Sequence, residues 1–166
     1  MTQKIKLFPY SKKFPKLFEK EKKLILKLIP NCEIHHIGST SVPGLGGKGI
    51  IDILIVLKRW GQEQVVIKKL KTLGFAHIHP RSKGRRFLSR IKDTQYGDTH
   101  IQIMLKHSKP CREFINFRDH LRKHSKEAKK YYKFKKFCLD YYQGNRDYYR
   151  LIKGGYVLQV LQKIKK

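Results

Sequence analysis

The sequence predicts an α+β fold, with a sheet in the N-terminal part and helices in the C-terminal part. Three observations carry this reading. Residues 11–29 set Phe14, Leu17, Phe18, Leu24, Ile25 and Leu28 on one helical face with lysines opposite; Ile50 to Leu57 is a short β-branched run preceded by glycines; and from Pro110 onward the apolar spacing is helical throughout.

Taken in order, the first helix ends at Pro30, and Ile34 to Ile37 reads as a strand ahead of Ile50 to Leu57. Residues 62–73 form a second helix through Val65, Val66, Ile67, Leu70 and Leu73, closed by Gly74 in a left-handed cap. Short strands follow at Phe75 to His79, Arg86 to Ile91 and Thr99 to Leu105, the last two separated by a turn at Tyr96-Gly97-Asp98. Helices are then expected over 110–123, over 126–142 started by Ser125, and over 146–165 started by Asn145. No linker of disordered composition or internal repeat intervenes. The 166 residues are therefore expected to form a single domain, an α/β core over 1–107 with a helical lobe over 108–166 packed on it.

Composition excludes several classes. A hydrophobic share of 40% with 11% aromatics belongs to a folded chain, not a disordered one. Residues 1–13 mix lysine with single apolar residues and form no secretory signal, and the apolar run at 49–57 holds an Asp and falls well short of the ~20 residues a membrane span needs. A cytoplasmic location is expected. Cys32, Cys111 and Cys138 lack the spacing of a disulfide framework or zinc site, and all three are expected to be buried thiols. The outlying quantity is charge: 39 Lys and Arg against 12 Asp and Glu, a formal +27, which attracts polyanions, nucleic acid included, without specificity.

The chemistry concentrates between the first two strands, in His36-Ile37-Gly38-Ser39-Thr40-Ser41-Val42-Pro43-Gly44-Leu45-Gly46-Gly47-Lys48. Small residues and hydroxyls at Gly38, Ser39, Thr40 and Ser41 let main-chain N–H groups approach a phosphate. Lys48 would meet the same phosphate as a point charge, and Asp52 on the following strand would offer a hard oxygen to Mg²⁺. The structural alternative is a glycine-rich turn with a buried, hydrogen-bonded Asp, and spacing alone does not separate the two.

These residues, with Ile50-Ile51-Asp52-Ile53, resemble the signature of the GrpB family, a group with a nucleotidyltransferase fold. Phe117-Arg118-Asp119-His120-Leu121-Arg122-Lys123-His124, with Ala128, Tyr132 and Lys136, resembles the family's helical block, as does Tyr149 with Lys153. Thr99-His100-Ile101-Gln102-Ile103 stands where the family usually has a His-x-His strand, and Tyr10, Phe14 and Phe18 fit its first helix. The resemblance implies a nucleotidyltransferase-like mixed sheet flanked by helices, with a C-terminal helical lobe. It also implies a Gly-Ser turn that holds a nucleotide triphosphate, beside an Asp-x-Asp strand and a third carboxylate that hold two Mg²⁺ ions for in-line displacement at phosphorus.

The pattern breaks at the carboxylates. The second of the pair falls on Leu54, and the later strand offers His100 and Gln102, which supply no hard anionic oxygen. Asp98 is the nearest acid, at that strand's start. Three readings stand for the pocket. In the first, Asp52 holds one Mg²⁺ and a nucleotidyl or phosphoryl group is transferred with help from His100. In the second, a nucleotide or phosphorylated metabolite binds without chemistry; in the third, the site is a structural relic. His100 reads equally as a core histidine bonded between strands, and His36 reads rather as satisfying a backbone group.

Arg81, Lys83, Arg85, Arg86, Arg90 and Lys92 form an acid-free stretch around Phe87. Even spacing puts Arg86 and Arg90 on one strand face, where they would clamp a nucleotide phosphate or a nucleic-acid backbone, or guard a strand edge. Arg118 and Arg122 are helix neighbours that would wall the pocket or make structural ion pairs, with Asp119 free to hold a cation from an adjacent helix. Tyr141, Tyr142, Tyr148 and Tyr149 read mostly as core residues. The alternative function is a non-catalytic RNA- or polyanion-binding module on the same fold.

Overall fold

The computed structural model describes residues 5–82, 84–90 and 98–164, with the side chains of 77–82 left aside. Helix α1, Lys13–Leu28, buries Phe14, Phe18, Glu21 and Ile25 at spacings of four, three and four, the signature of one face turned to a core. Strand β1, Glu33–Ile37, leads through a single 3-10 turn at Ser39–Ser41 to β2, Ile51–Leu57. Helix α2, Glu63–Lys71, is shorter than its apolar spacing suggests, and Gly74 follows at φ 82°. Strands β3, Ala76–Ser82, and β4, Arg85–Arg90, form a hairpin, and β5 is Thr99–Leu105. Of the expected turn before β5, Tyr96 and Gly97 lie outside the described residues, as does Ile91. Three helices complete the chain: α3, Lys109–Lys123; α4, Ser125–Tyr141; and α5, Arg146–Ile164.

Side-chain caps set the starts of α3 and α5. Ser108 accepts a hydrogen bond from the Cys111 N–H at the start of α3, with Pro110 in the first turn. The Asn145 side chain accepts from the N–H groups of Asp147 and Tyr148, so it caps α5 as expected. Ser125 does not cap α4. It is the first helical residue, and His124 takes the position before it.

The five strands run in the order β1-β2-β5-β4-β3, with β2 and β5 parallel and every other pair antiparallel. Side chains alternate between the two faces along each strand. One face carries Ile51, Ile53, Ile55, Leu57, Leu88, Ile101 and Ile103 against α1 and α2. The other carries Ile37, Leu54, Val56 and Met104 against Cys111, Phe114 and Ile115 of α3. A third cluster joins Val42 and Leu45 of the glycine-rich loop to Leu121, Ala128 and Tyr131, so the helical lobe is seated on that loop. No described helix is long and apolar enough to cross a membrane.

Three expectations are corrected. Cys32 is only half-buried, although Cys111 and Cys138 are buried. Tyr141 and Tyr148 are exposed, because α4 and α5 turn those positions outward, whereas Tyr149 is buried. Asp119 is held by its own neighbour Arg118 at 2.7 Å, not by a cation from an adjacent helix.

Across the α1 face, Arg90 donates to the buried Glu21 carboxylate at 2.5 Å and to the Leu73 carbonyl at 2.8 Å, with its guanidinium 4.4 Å from the centre of the Phe75 ring. The Arg90 Nε is buried without a partner. Removing one member of such a pair strands the other charge. Glu21→Ala should therefore cost about 3 kcal/mol of stability in urea unfolding, and Glu21→Leu combined with Arg90→Met should recover most of it; an additive or larger loss in the double variant would contradict this account.

Candidate functional site

The site begins with one residue's lack of a side chain. Gly38 leaves β1 at φ 72° and ψ −174°, a conformation that glycine alone adopts readily. A Cβ built there would lie 2.9 Å from Cγ of Asp52. The Gly-Ser turn thus lies directly over the Asp52 carboxylate, an approach that any larger residue would prevent.

The 3-10 turn is held from inside. Ser41 Oγ donates to the Gly38 carbonyl at 2.6 Å, and Thr40 Oγ1 donates to the Ile50 carbonyl at 2.8 Å. His36 Nε2 lies 3.0 Å from the same Thr40 oxygen. His36 is therefore tied to a hydroxyl, not to a backbone group, and its ring stacks on Phe18 at 4.5 Å. Thr40 and Ser41 serve the turn's own shape. Ser39 is turned instead toward Gly47, where an added Cβ would stand 3.0 Å from Ser39 Cβ and 3.5 Å from Lys135 Nζ.

Helix α3 fastens the turn from outside. Arg118 donates to the His36 carbonyl at 3.1 Å and Arg122 to the Ser41 carbonyl at 2.9 Å, so the two guanidiniums grip the turn's entry and exit. A groove of about 360 Å³ lined by Tyr10, Phe18, His36, Ser41 and Arg122 runs beside the turn, and Asp52, Lys48 and His100 take no part in it.

Register places the remaining groups. Asp52 pairs with His100 across the parallel β2–β5 ladder, and His100 Nδ1 lies 3.4 Å from Asp52 Oδ1, with the two side chains about a quarter exposed at 22% and 28%. Phe87 meets the His100 ring edge to face. Two residues along, Gln102 accepts from Arg85 Nε at 3.0 Å, and the Arg85 guanidinium lies over Phe114. Leu54 shares this face and is wholly buried under α3. The two positions where a metal site would need more carboxylates therefore hold a sealed leucine and an amide bonded to arginine. Among the described residues no three His, Cys, Asp or Glu side chains converge on a point.

Arg86 and Arg90 share a face with each other, but it is the opposite face from Asp52. Their partners in the ladder are Ile103 and Thr99, and Leu88 between them packs against the α1 side. Arg86 lies 3.5 Å from Glu63 and over the Trp60 ring, and Arg90 is committed to Glu21. Neither is brought to the Asp52 pocket. The Arg81 side chain, Lys83 and Lys92 lie outside the described residues.

The helical lobe contributes cations that the sequence reading does not single out for the pocket. Lys135 of α4 is buried, donates to the Gly46 carbonyl at 2.5 Å and lies over the Tyr131 and Tyr132 rings. Burial pulls its pKa down from the ordinary lysine value to about 7, with Lys153 and Lys48 adding repulsion and Asp52 opposing. Lys48 is likewise lowered by burial and by Lys153, Arg146 and Arg150, and partly restored by Asp52. The signal for Lys135 was available: Ala128, Tyr131, Lys135 and Cys138 form one buried stripe along α4 at spacings of three, four and three.

Residues 4–163 match the family model described as GrpB protein. UPF0157 protein BH1888 of Halalkalibacterium halodurans is 33% identical over 120 residues, 71% of this chain and 60% of the relative. The chain thus spans about three fifths of that relative's length. The crystal structure of conserved protein GrpB from Enterococcus faecalis superposes with a TM-score of 0.84 at 24% identity, over 96% of each chain. The Cid1 poly(U) polymerase with MgGTP bound superposes at 0.51 and 16% identity, over 71% of this chain and 39% of that one, a likeness of fold.

Two outcomes test this geometry. Gly38→Ala should cost about 1–3 kcal/mol in urea unfolding from backbone strain alone, with Asp52 displaced in addition; a neutral result would contradict the close approach. Burial lowers the His36 pKa from 6.5 to about 4 against the pull of Asp52, so between these values the unfolded chain binds the proton that the folded one refuses. Stability should accordingly rise with pH from 4 to 6.5, by up to about 3 kcal/mol. His36→Asn should flatten that slope in urea melts at pH 4.5 and 7.

Proposed function

Because the chain belongs to the GrpB family and has a nucleotidyltransferase-like fold, we propose that it binds a nucleotide or another phosphorylated small molecule at the Gly38–Ser41 turn beside Asp52. The observation that carries this reading is the approach of the Gly38–Ser39 main chain to Asp52, with Lys48 and Lys135 set around the same point. A turn of small residues backed by amines suits an anionic oxygen cluster, because the main-chain N–H groups come close and the ammonium groups neutralise charge.

The residues present do not fit two Mg²⁺ ions. One carboxylate, an imidazole and an amide already bonded to Arg85 are not the oxygen-rich set that hard cations select. Asp52 offers one hard oxygen, enough for one ion brought in with the ligand's phosphates, and His100 beside it is placed to hold or move a proton. Binding is thus better supported than nucleotidyl transfer. Binding of RNA or another polyanion through the arginine stretch has less support, because Arg85, Arg86 and Arg90 are each engaged within the fold, by Gln102, Glu63 and Glu21.

Calorimetric titration with ATP, GTP, CTP and UTP, each with and without Mg²⁺, tests the reading. At least one should bind, and Lys48→Met should weaken it about tenfold, the scale of one charge-assisted contact. Asp52→Ala should abolish any gain that Mg²⁺ brings. Absence of binding by the unaltered protein at millimolar nucleotide would overturn the proposal.

A further inference from the structure

We propose that the groove between helix α1 and the Gly38–Ser41 turn is a second binding site, which takes a free α-amino acid with a large apolar side chain, its carboxylate on Arg122 and its ammonium on Glu19. The site lies on the α1 side of the sheet, on the reverse of the turn from Asp52, and does not rest on the phosphate-binding reading.

The groove has a volume of about 360 Å³. That is the small end of the ~300–1,000 Å³ that ligand sites occupy, so its occupant is a small metabolite. Tyr10 and Phe18 give it apolar walls. Tyr10 stands edge-on to Phe14 at 5.7 Å, and Phe18 is stacked on His36 at 4.5 Å, so both rings are fixed before a ligand arrives.

Three polar groups line the same walls with bonding capacity that the fold leaves unused. Arg122 gives its Nε–H to the Ser41 carbonyl, and its Nη donors have no partner among the described residues. Glu19 makes no hydrogen bond or ion pair among the described residues, with Arg122 or with Lys16, Lys20 and Lys23 beside it on α1. His36 is the third. The Thr40 hydroxyl donates to the Ile50 carbonyl, so it accepts from His36 Nε2–H, and His36 Nδ1 is left as an acceptor. That nitrogen is not sealed from solvent, and the ring borders the groove.

A guanidinium and a carboxylate that face one groove without pairing suit a ligand that carries both charges. The Nη edge of Arg122, held in place by the Ser41 bond, matches a carboxylate with two parallel hydrogen bonds. Glu19 and His36 Nδ1 both accept, and an ammonium group only donates. An apolar side chain then covers Tyr10 and Phe18. A phosphate fits less well, because Arg122 is the one cation lining the groove among the described residues and Glu19 repels a second negative charge.

The unaltered protein is titrated calorimetrically with L-phenylalanine and L-leucine, and with 3-phenylpropionate and phenethylamine as comparisons of one charge each, in the absence of nucleotide. Phenylalanine should bind at least about tenfold more tightly than either comparison. Glu19→Gln, a change at an exposed and unbonded side chain, should weaken phenylalanine about tenfold and leave 3-phenylpropionate no weaker than before. Arg122→Gln should weaken both acids; if loss of the Ser41 bond prevents that variant from folding by circular dichroism, Glu19→Gln decides alone. Absence of binding by both amino acids at millimolar concentration, equal affinity for phenylalanine and 3-phenylpropionate, or a Glu19→Gln protein that binds as the original does would overturn the inference. None of these results bears on the nucleotide titrations, which test the other side of the turn.

Discussion

Everything in the pocket depends on the passage of the main chain over the Asp52 carboxylate at Gly38. That passage fixes where β1 ends, forces the 3-10 turn that follows, and sets Ser39 toward Gly47. Thr40, Ser41, Arg118 and Arg122 then satisfy the turn's polar groups from within and from α3. A partly buried carboxylate beneath bare main chain needs compensation, and the fold supplies it from His100 on one side and Lys135 of the helical lobe on the other. The lobe is thus part of the site's electrostatics as well as its support.

Strand parity divides the molecule's basic groups into two sets with different work. On the α1 side, Arg86 and Arg90 are matched one to one with Glu63 and Glu21 and stacked on Trp60 and Phe75, which neutralises them within the core. On the other side, Lys48 and Lys135 both lie within the field of Asp52, and Lys135 donates to the Gly46 carbonyl. A formal charge of +27 spread over 166 residues does not disclose this division.

Much of the architecture was legible because the strands are rich in Ile and Val, and the helices carry unbroken apolar stripes. Both signals arise from burial and survive in sequence. The loss of the metal carboxylates was equally plain, since Leu54 and Gln102 are what they are in any fold. The role of Arg86 and Arg90 was harder to read: spacing puts them on one face but does not say which face meets the helices. Leu88 between them was the available hint, an apolar residue on the side that turned out to be core. Lys135 stayed hidden because α4 is crowded with lysines, and only its place in the stripe with Ala128, Tyr131 and Cys138 marks it. Tyr141 and Tyr148 misled in the opposite sense, as aromatic residues whose helical positions face water.

The order in which the strands are made has a kinetic consequence. Asp52 meets its β1 neighbours through a short local connection, but His100 arrives from β5, after α2, β3 and β4 have been traversed, and joins β2 in parallel. Parallel pairing across such a distance spends loop-closure entropy before any contact rewards it, and is slow. The glycine-rich turn therefore belongs to the early, local part of folding, and the Asp52–His100 pair to the late part. Until β5 docks, Asp52 has no imidazole beside it, and the turn above it still lacks its clamps from α3.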